Sequence, residues 1–230
     1  MKSSKVAGRI AVLATALAAT VGIAFASGAG AGISADEALQ KLVDGNNRYV
    51  ESKMHASALC DATARGKLAK GQQPYAIILS CSDSRVPPEI VFDQALGEVF
   101  VIRVAGNVAD PLVLGSVEYA AEHLKSPLVM VLGHERCGAV TATVGAKGKA
   151  EGNIEAIVKA IEPAAKKAKA KCKGKSKEEI IECAAEQNAK DVAADLTKKS
   201  KIVAHLVKEG KIKIVSAKYD LDDGKVTILK

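Results

Sequence analysis

The sequence predicts an α/β fold: one domain with a central, mainly parallel four-stranded sheet flanked by helices, plus a terminal edge strand. Three observations carry this. Four short apolar runs are β-branched and nearly continuous rather than alternating, the pattern of strands covered on both faces. Stretches of helical periodicity separate them, and alternation of strand and helix marks a parallel sheet. The chain has 230 residues, 48% of them hydrophobic, enough for one core. Aromatics are only 3% and tryptophan is absent, so that core is built from Val, Ile, Leu and Ala.

The elements follow in order. Lys2, Lys5 and Arg9 precede an uncharged run, Ile10–Ala26, that ends in Ala24-Phe25-Ala26. A basic start, an apolar stretch and a small-residue A-x-A site form a secretory signal peptide over 1–26, leaving 27–230 as the domain. The run falls short of the roughly 20 residues that span a bilayer, so no stable membrane anchor is expected and the product is exported, to the periplasm. Ser34 and Glu37 form a capping box that opens the first helix, and Gly45 weakens its end. A second helix is expected over 56–69. The strands are Tyr75–Ser80, Glu98–Val104, Pro127–Leu132 and Ile212–Ala217. Helices are expected over 114–124, from Ala139, over 153–170, and over 178–209 with a break near Ser200. A turn at 219–224 leads to the edge strand Val226–Leu229.

The formal charge of +7 raises the question of a polyanion partner. Many of the lysines sit in Lys166–Lys177 (KKAKAKCKGKSK) without the interleaved aromatics that stack on nucleic-acid bases. A solvated helix and loop is the expected state, and no nucleic acid is expected as a partner.

The five cysteines divide by surroundings. Cys172 and Cys183 flank the lysine-rich turn and suit a disulfide in an exported protein, with Cys60 left over. Cys81 instead stands where the first strand stops, within Cys81-Ser82-Asp83-Ser84-Arg85. His134 and Cys137 follow the third strand. Ligands gather at the carboxyl ends of parallel strands where strand order reverses, so these three converge if the first and third strands are neighbours. Two thiolates and an imidazole suit zinc, and three protein ligands leave a fourth position open, as in catalytic sites. Asp83 lies close enough to accept a hydrogen bond there or to ligate the metal. Arg85 is placed to hold it ionised through a two-pronged pair. The sequence has no C-x-x-C and no glycine-rich phosphate loop after a strand, which argues against redox and nucleotide-binding roles.

Several stretches resemble the β-class carbonic anhydrases: C-S-D-S-R (81–85), D-Q-A-L-G-E-V-F (93–100), V-I-R-V-A-G-N (101–107), E-Y-A-A-E-H-L (118–124), G-H-E-R-C-G-A (133–139) and K-I-V-S-A-K-Y-D-L (213–221). The resemblance runs from about Ala35 to the last strand, omitting the signal peptide and the lysine-rich stretch. It implies one zinc ion per chain on Cys81, His134 and Cys137, with Asp83 and Arg85 as the catalytic dyad and Asp83 as a fourth ligand in a closed state. It also implies substrate contacts from Gln94 and Tyr119, and assembly as a homodimer or homotetramer. The implied reaction is reversible hydration of carbon dioxide to bicarbonate and a proton by a metal-bound hydroxide. The alternatives are hydrolysis of carbonyl sulfide or carbon disulfide at the same centre, or zinc binding without turnover. Two departures stand out. Without Trp the chain lacks the Trp-containing non-catalytic bicarbonate pocket of some relatives, and the 108–114 loop lacks the aromatic residue that other branches place against the substrate, leaving Val108 and Leu112 as the expected apolar wall.

Overall fold

The computed structural model describes residues 30–56 and 61–230. The signal peptide and Cys60 lie outside the described residues. Helices are α1 (Ala35–Val50), α2 (Ala62–Leu68), α3 (Pro88–Val91), α4 (Pro111–Glu122), α5 (Gly138–Gly145), α6 (Ile154–Lys171), α7 (Lys177–Lys199) and α8 (Lys201–Lys208). Strands are β1 (Ala76–Ser80), β2 (Val99–Arg103), β3 (Leu128–His134), β4 (Lys213–Tyr219) and β5 (Val226–Leu229). They form one sheet in the order β2-β1-β3-β4-β5. The pairs β1–β2, β1–β3 and β3–β4 are parallel, and only β4–β5 is antiparallel. The predicted class and the β1–β3 neighbourhood are both present.

Both faces of the sheet are covered, which is why the strands read as continuous apolar runs. On one face Ile77, Leu79, Val129 and Val131 pack with residues of α4, α7 and α8. On the other, Ala76, Ile78, Leu128, Met130 and Leu132 pack with Ala38 and Leu42 of α1 and Val91 of α3. The capping box is formed: Glu37 N donates to Ser34 Oγ at 3.2 Å, and Ser34 N donates to Glu37 Oε2 at 2.7 Å. Ser200 ends α7 and caps α8, its hydroxyl accepting from Val203 N, which is the expected break. Cys172 and Cys183 are bonded, joining the end of α6 to the first turns of α7. No helix among the described residues is long and apolar enough to cross a membrane.

Several expectations need correction. Gly45 does not weaken the end of α1: the helix continues to Val50, and the glycine is there because a Cβ would collide with the Phe92 carbonyl. The described part of the second helix is only Ala62–Leu68, capped by Asp61, whose carboxylate accepts from Ala64 N. Helix α4 starts three residues early because Asp110 caps it and Pro111 supplies a preset φ at its first position. Strand β3 runs on to His134, paired with Tyr219, so the histidine is the last strand residue rather than part of the loop.

Candidate metal centre

Strands β1 and β3 are parallel neighbours, so their carboxyl ends emerge side by side. Cys81 follows directly on β1, His134 ends β3, and Cys137 stands at the N-cap of α5. The tight passage between the last two uses Arg136 at φ 47°, pinned by its N–H donating to Glu182 Oε1 at 2.8 Å and by a guanidinium fork on Asp222. All three side chains are buried, and their donor atoms lie within 4.8 Å of one another. The two sulfurs are 4.0 Å apart, unbonded.

Three features of this cluster fit a metal ion. His134 Nδ1 lies 2.8 Å from the Glu135 carbonyl, so it carries the proton and leaves Nε2 with its lone pair free. That Nε2 is buried with no hydrogen-bond partner. An orphaned buried acceptor costs about 1–3 kcal/mol, a penalty that a bound cation removes. The sulfurs lean on each other: the hydrogen bond from Cys137 holds the Cys81 thiol well below its ordinary range, and that same bond, with burial, holds Cys137 far above. A soft cation replaces that hydrogen bond with a partner for both sulfurs.

Asp83 lies at the edge of the cluster, with Oδ2 3.8 Å from His134 Nε2. Arg85 grips it through Nε to Oδ1 at 2.9 Å and Nη2 to Oδ2 at 2.8 Å, with the Arg85 N–H adding a third bond at 3.0 Å. This fork holds the carboxyl far below the usual carboxylate range. Both oxygens are thus turned to Arg85, and Asp83 is not among the three converging donors. Acting as a fourth ligand would require breaking the fork.

Three residues of this neighbourhood received no role from the sequence. Arg103, at the end of β2, donates to the carbonyls of Cys81 at 3.0 Å and Asp83 at 2.6 Å and so ties down the loop carrying the dyad. Gly106, in the 3₁₀ turn Ala105–Asn107, donates its N–H to Cys81 Sγ at 3.2 Å. Asn188 of α7 donates Nδ2 to the Gly106 carbonyl at 2.8 Å. The stretch V-I-R-V-A-G-N marked the first two, while Asn188 lies in a helix with nothing local to single it out.

The other expected residues lie elsewhere in the protomer. Gln94 is buried between Tyr75, whose hydroxyl donates to its Oε1, and the Phe92 carbonyl, which its amide reaches. Tyr119 packs its ring beside Phe100 and His123. Val108 joins the apolar cluster around Cys81 and Cys137, whereas Leu112 is 82% exposed.

Comparison with known proteins gives the family of the chain. The carbonic anhydrase family model matches residues 76–226. "Carbonic anhydrase 2" of Mycobacterium tuberculosis is 37% identical over 194 residues, 83% of this chain and 91% of that protein. The carbonic anhydrase of Mycolicibacterium smegmatis is 39% identical over the same length, again 83% and 91%. Among solved structures, the β-carbonic anhydrase of Coccomyxa, in complex with acetazolamide, superposes with a TM-score of 0.69 at 29% identity, covering 83% of this chain and 86% of that one. Family match, relatives and fold coincide, and the chain belongs to the β-carbonic anhydrase family.

Proposed function

We propose that the protein hydrates carbon dioxide reversibly to bicarbonate and a proton, using one zinc ion held by Cys81, His134 and Cys137. The observation that carries this is the buried, unpartnered Nε2 of His134 facing two buried, unbonded sulfurs 4.0 Å apart. Bound there, zinc would acidify a water molecule and supply a nucleophile near neutral pH, an effect best known from carbonic anhydrases themselves.

The remaining steps fall to the chain. Asp83, ionised and without a proton to give, accepts a hydrogen bond from the attacking water and orients its lone pair toward the carbon. Arg85 keeps Asp83 charged and in place, and Arg103 keeps the loop from moving. Val108 supplies an apolar boundary beside Cys81. Gln94 and Tyr119 are carried as substrate contacts on the family resemblance alone. Assembly as a homodimer or homotetramer is carried on the family resemblance alone. Export after removal of residues 1–26 is supported by the signal-like start and by the Cys172–Cys183 bridge, a bond typical of oxidising compartments.

The test is stopped-flow hydration on signal-free protein with metal analysis in parallel. About one zinc per chain and rapid turnover are expected. Cys81→Ser should lose the metal, while Asp83→Asn should keep it and lose on the order of 10²–10⁴ in turnover, the usual range for a positioned proton acceptor. Full activity in Asp83→Asn would refute the assigned role. A zinc-loaded protein that turns over carbonyl sulfide but not carbon dioxide would refute the substrate.

A further inference from the structure

We infer that Asn188 is a positioning residue for the metal centre, acting through Gly106 on the sulfur of Cys81. Asn188 lies on the inner face of α7, among Ala184, Ala185, Ala189 and Val192, and is 1% exposed. An amide on that face is costly unless it is bonded. Its Nδ2 reaches out of the helix to the Gly106 carbonyl at 2.8 Å, across 82 positions of sequence. The N–H of the same glycine points at Cys81 Sγ at 3.2 Å.

Glycine is free to adopt many poses, so its partners select this one: Asn107 N donates to the Val104 carbonyl at 2.9 Å, and Asn188 holds the Gly106 carbonyl. The glycine φ of +71° breaks the helical run of the turn, and the turn lies between the ends of β1 and β3 and helices α5 and α6. Anchoring the Gly106 carbonyl fixes the peptide plane on one side of the glycine and thereby limits where the N–H on its other side can point. Helix α7 can come close enough because it passes tightly over β3: a Cβ on Gly133, next to His134, would lie 3.3 Å from both Ala185 O and Ala189 Cβ. The helix therefore abuts the strand end carrying one proposed ligand while steering a hydrogen bond to another. Groups around a metal site that orient its ligands typically contribute 10- to 100-fold in metal affinity.

The inference rests on the centre taking a metal, and the test separates the two. Wild-type, Asn188→Leu and Val192→Ala proteins are loaded with cobalt(II), and the sulfur-to-cobalt charge-transfer band is recorded. Zinc loss to a chelator is timed on the same proteins, with thermal melting to confirm folding. Val192→Ala loosens the same helix one turn away without touching Gly106. With the N–H turned off the sulfur, the Asn188→Leu band should move to longer wavelength and zinc should be lost about tenfold faster. Val192→Ala should match wild type in both. An unshifted band with wild-type zinc retention in folded Asn188→Leu overturns the positioning role. So does an equal change in Val192→Ala, which would mark a general packing effect. Wild-type protein that takes up no cobalt overturns the metal reading itself.

Discussion

Replacing Gly106 by alanine tests the turn that faces Cys81. Two separable costs follow from its surroundings. The φ of +71° lies in the left-handed region, where a side chain costs roughly 1–2 kcal/mol. The new Cβ would also stand 2.5 Å from Ile161 Cδ1 and 3.1 Å from Ala139 Cβ, contacts that force repacking at about 1–3 kcal/mol. The single substitution should therefore cost about 2–5 kcal/mol. Only the second cost depends on Ile161, which is fully buried. Ile161→Val removes the clashing Cδ1 and by itself costs about 0.5–1.5 kcal/mol. In the double variant the collision largely disappears while the backbone cost remains. The pair should thus be less destabilised than the sum of the singles by about 1–2 kcal/mol. Urea unfolding of the four proteins at constant m-value measures this. Additivity within about 0.5 kcal/mol would refute the steric account and leave the backbone as the whole cost.

Two further outcomes are expected. Arg85→Leu removes the fork that depresses the Asp83 carboxyl, so the variant should lose the stabilisation that ionised Asp83 gives the parent. That stabilisation is present above the ordinary carboxylate range and fades as pH falls toward the depressed native value, so the difference in melting temperature should shrink on acidification; a constant difference would refute it. Opening the Cys172–Cys183 bridge with paired serines releases a loop of 11-residue separation, worth roughly 3 kcal/mol by loop closure, and denaturant midpoints should fall accordingly; unchanged midpoints would refute it.

What the sequence revealed, and what it hid, divides along local and non-local physics. Continuous β-branched runs betrayed β1 to β4 because both faces of the sheet are covered. Cys81, Asp83 and Arg85, and likewise His134 and Cys137, were legible because each group lies within five residues at a strand end. Gly45 misled because a helical glycine looks like a weak point, while its actual constraint, the Phe92 carbonyl, lies 47 positions away. The start of α4 was missed although Asp110-Pro111 is a local capping signal, a carboxylate cap before a proline at the first helical position. Asn188 could not be found locally at all: its partner is a carbonyl on a different element.

The lysine-rich stretch shows how composition can hide a role. Its charges are solvated as expected: Lys166, Lys167, Lys169 and Lys171 are exposed, and two of them pair with Glu162 and Asp191 at 2.8 Å. Yet the same helix turns Ile161, Ala165 and Ala168 inward, against the cluster containing Cys81, Cys137 and Val140. The lysines give α6 an outer face that stays in water, and the alanines give it an inner face thin enough to lie close to the sulfurs. The Cys172–Cys183 bond then fastens this wall to α7, the helix that carries Asn188. A bulky residue in place of Ala165, only 2% exposed, would push α6 outward and open the dry side of the centre. Ala165→Leu should therefore speed zinc loss to a chelator. Exchange of Lys166 for glutamate, one position along on the solvated face, should leave it unchanged. Equal zinc retention in both variants would show that α6 is ornament to the centre and not its wall.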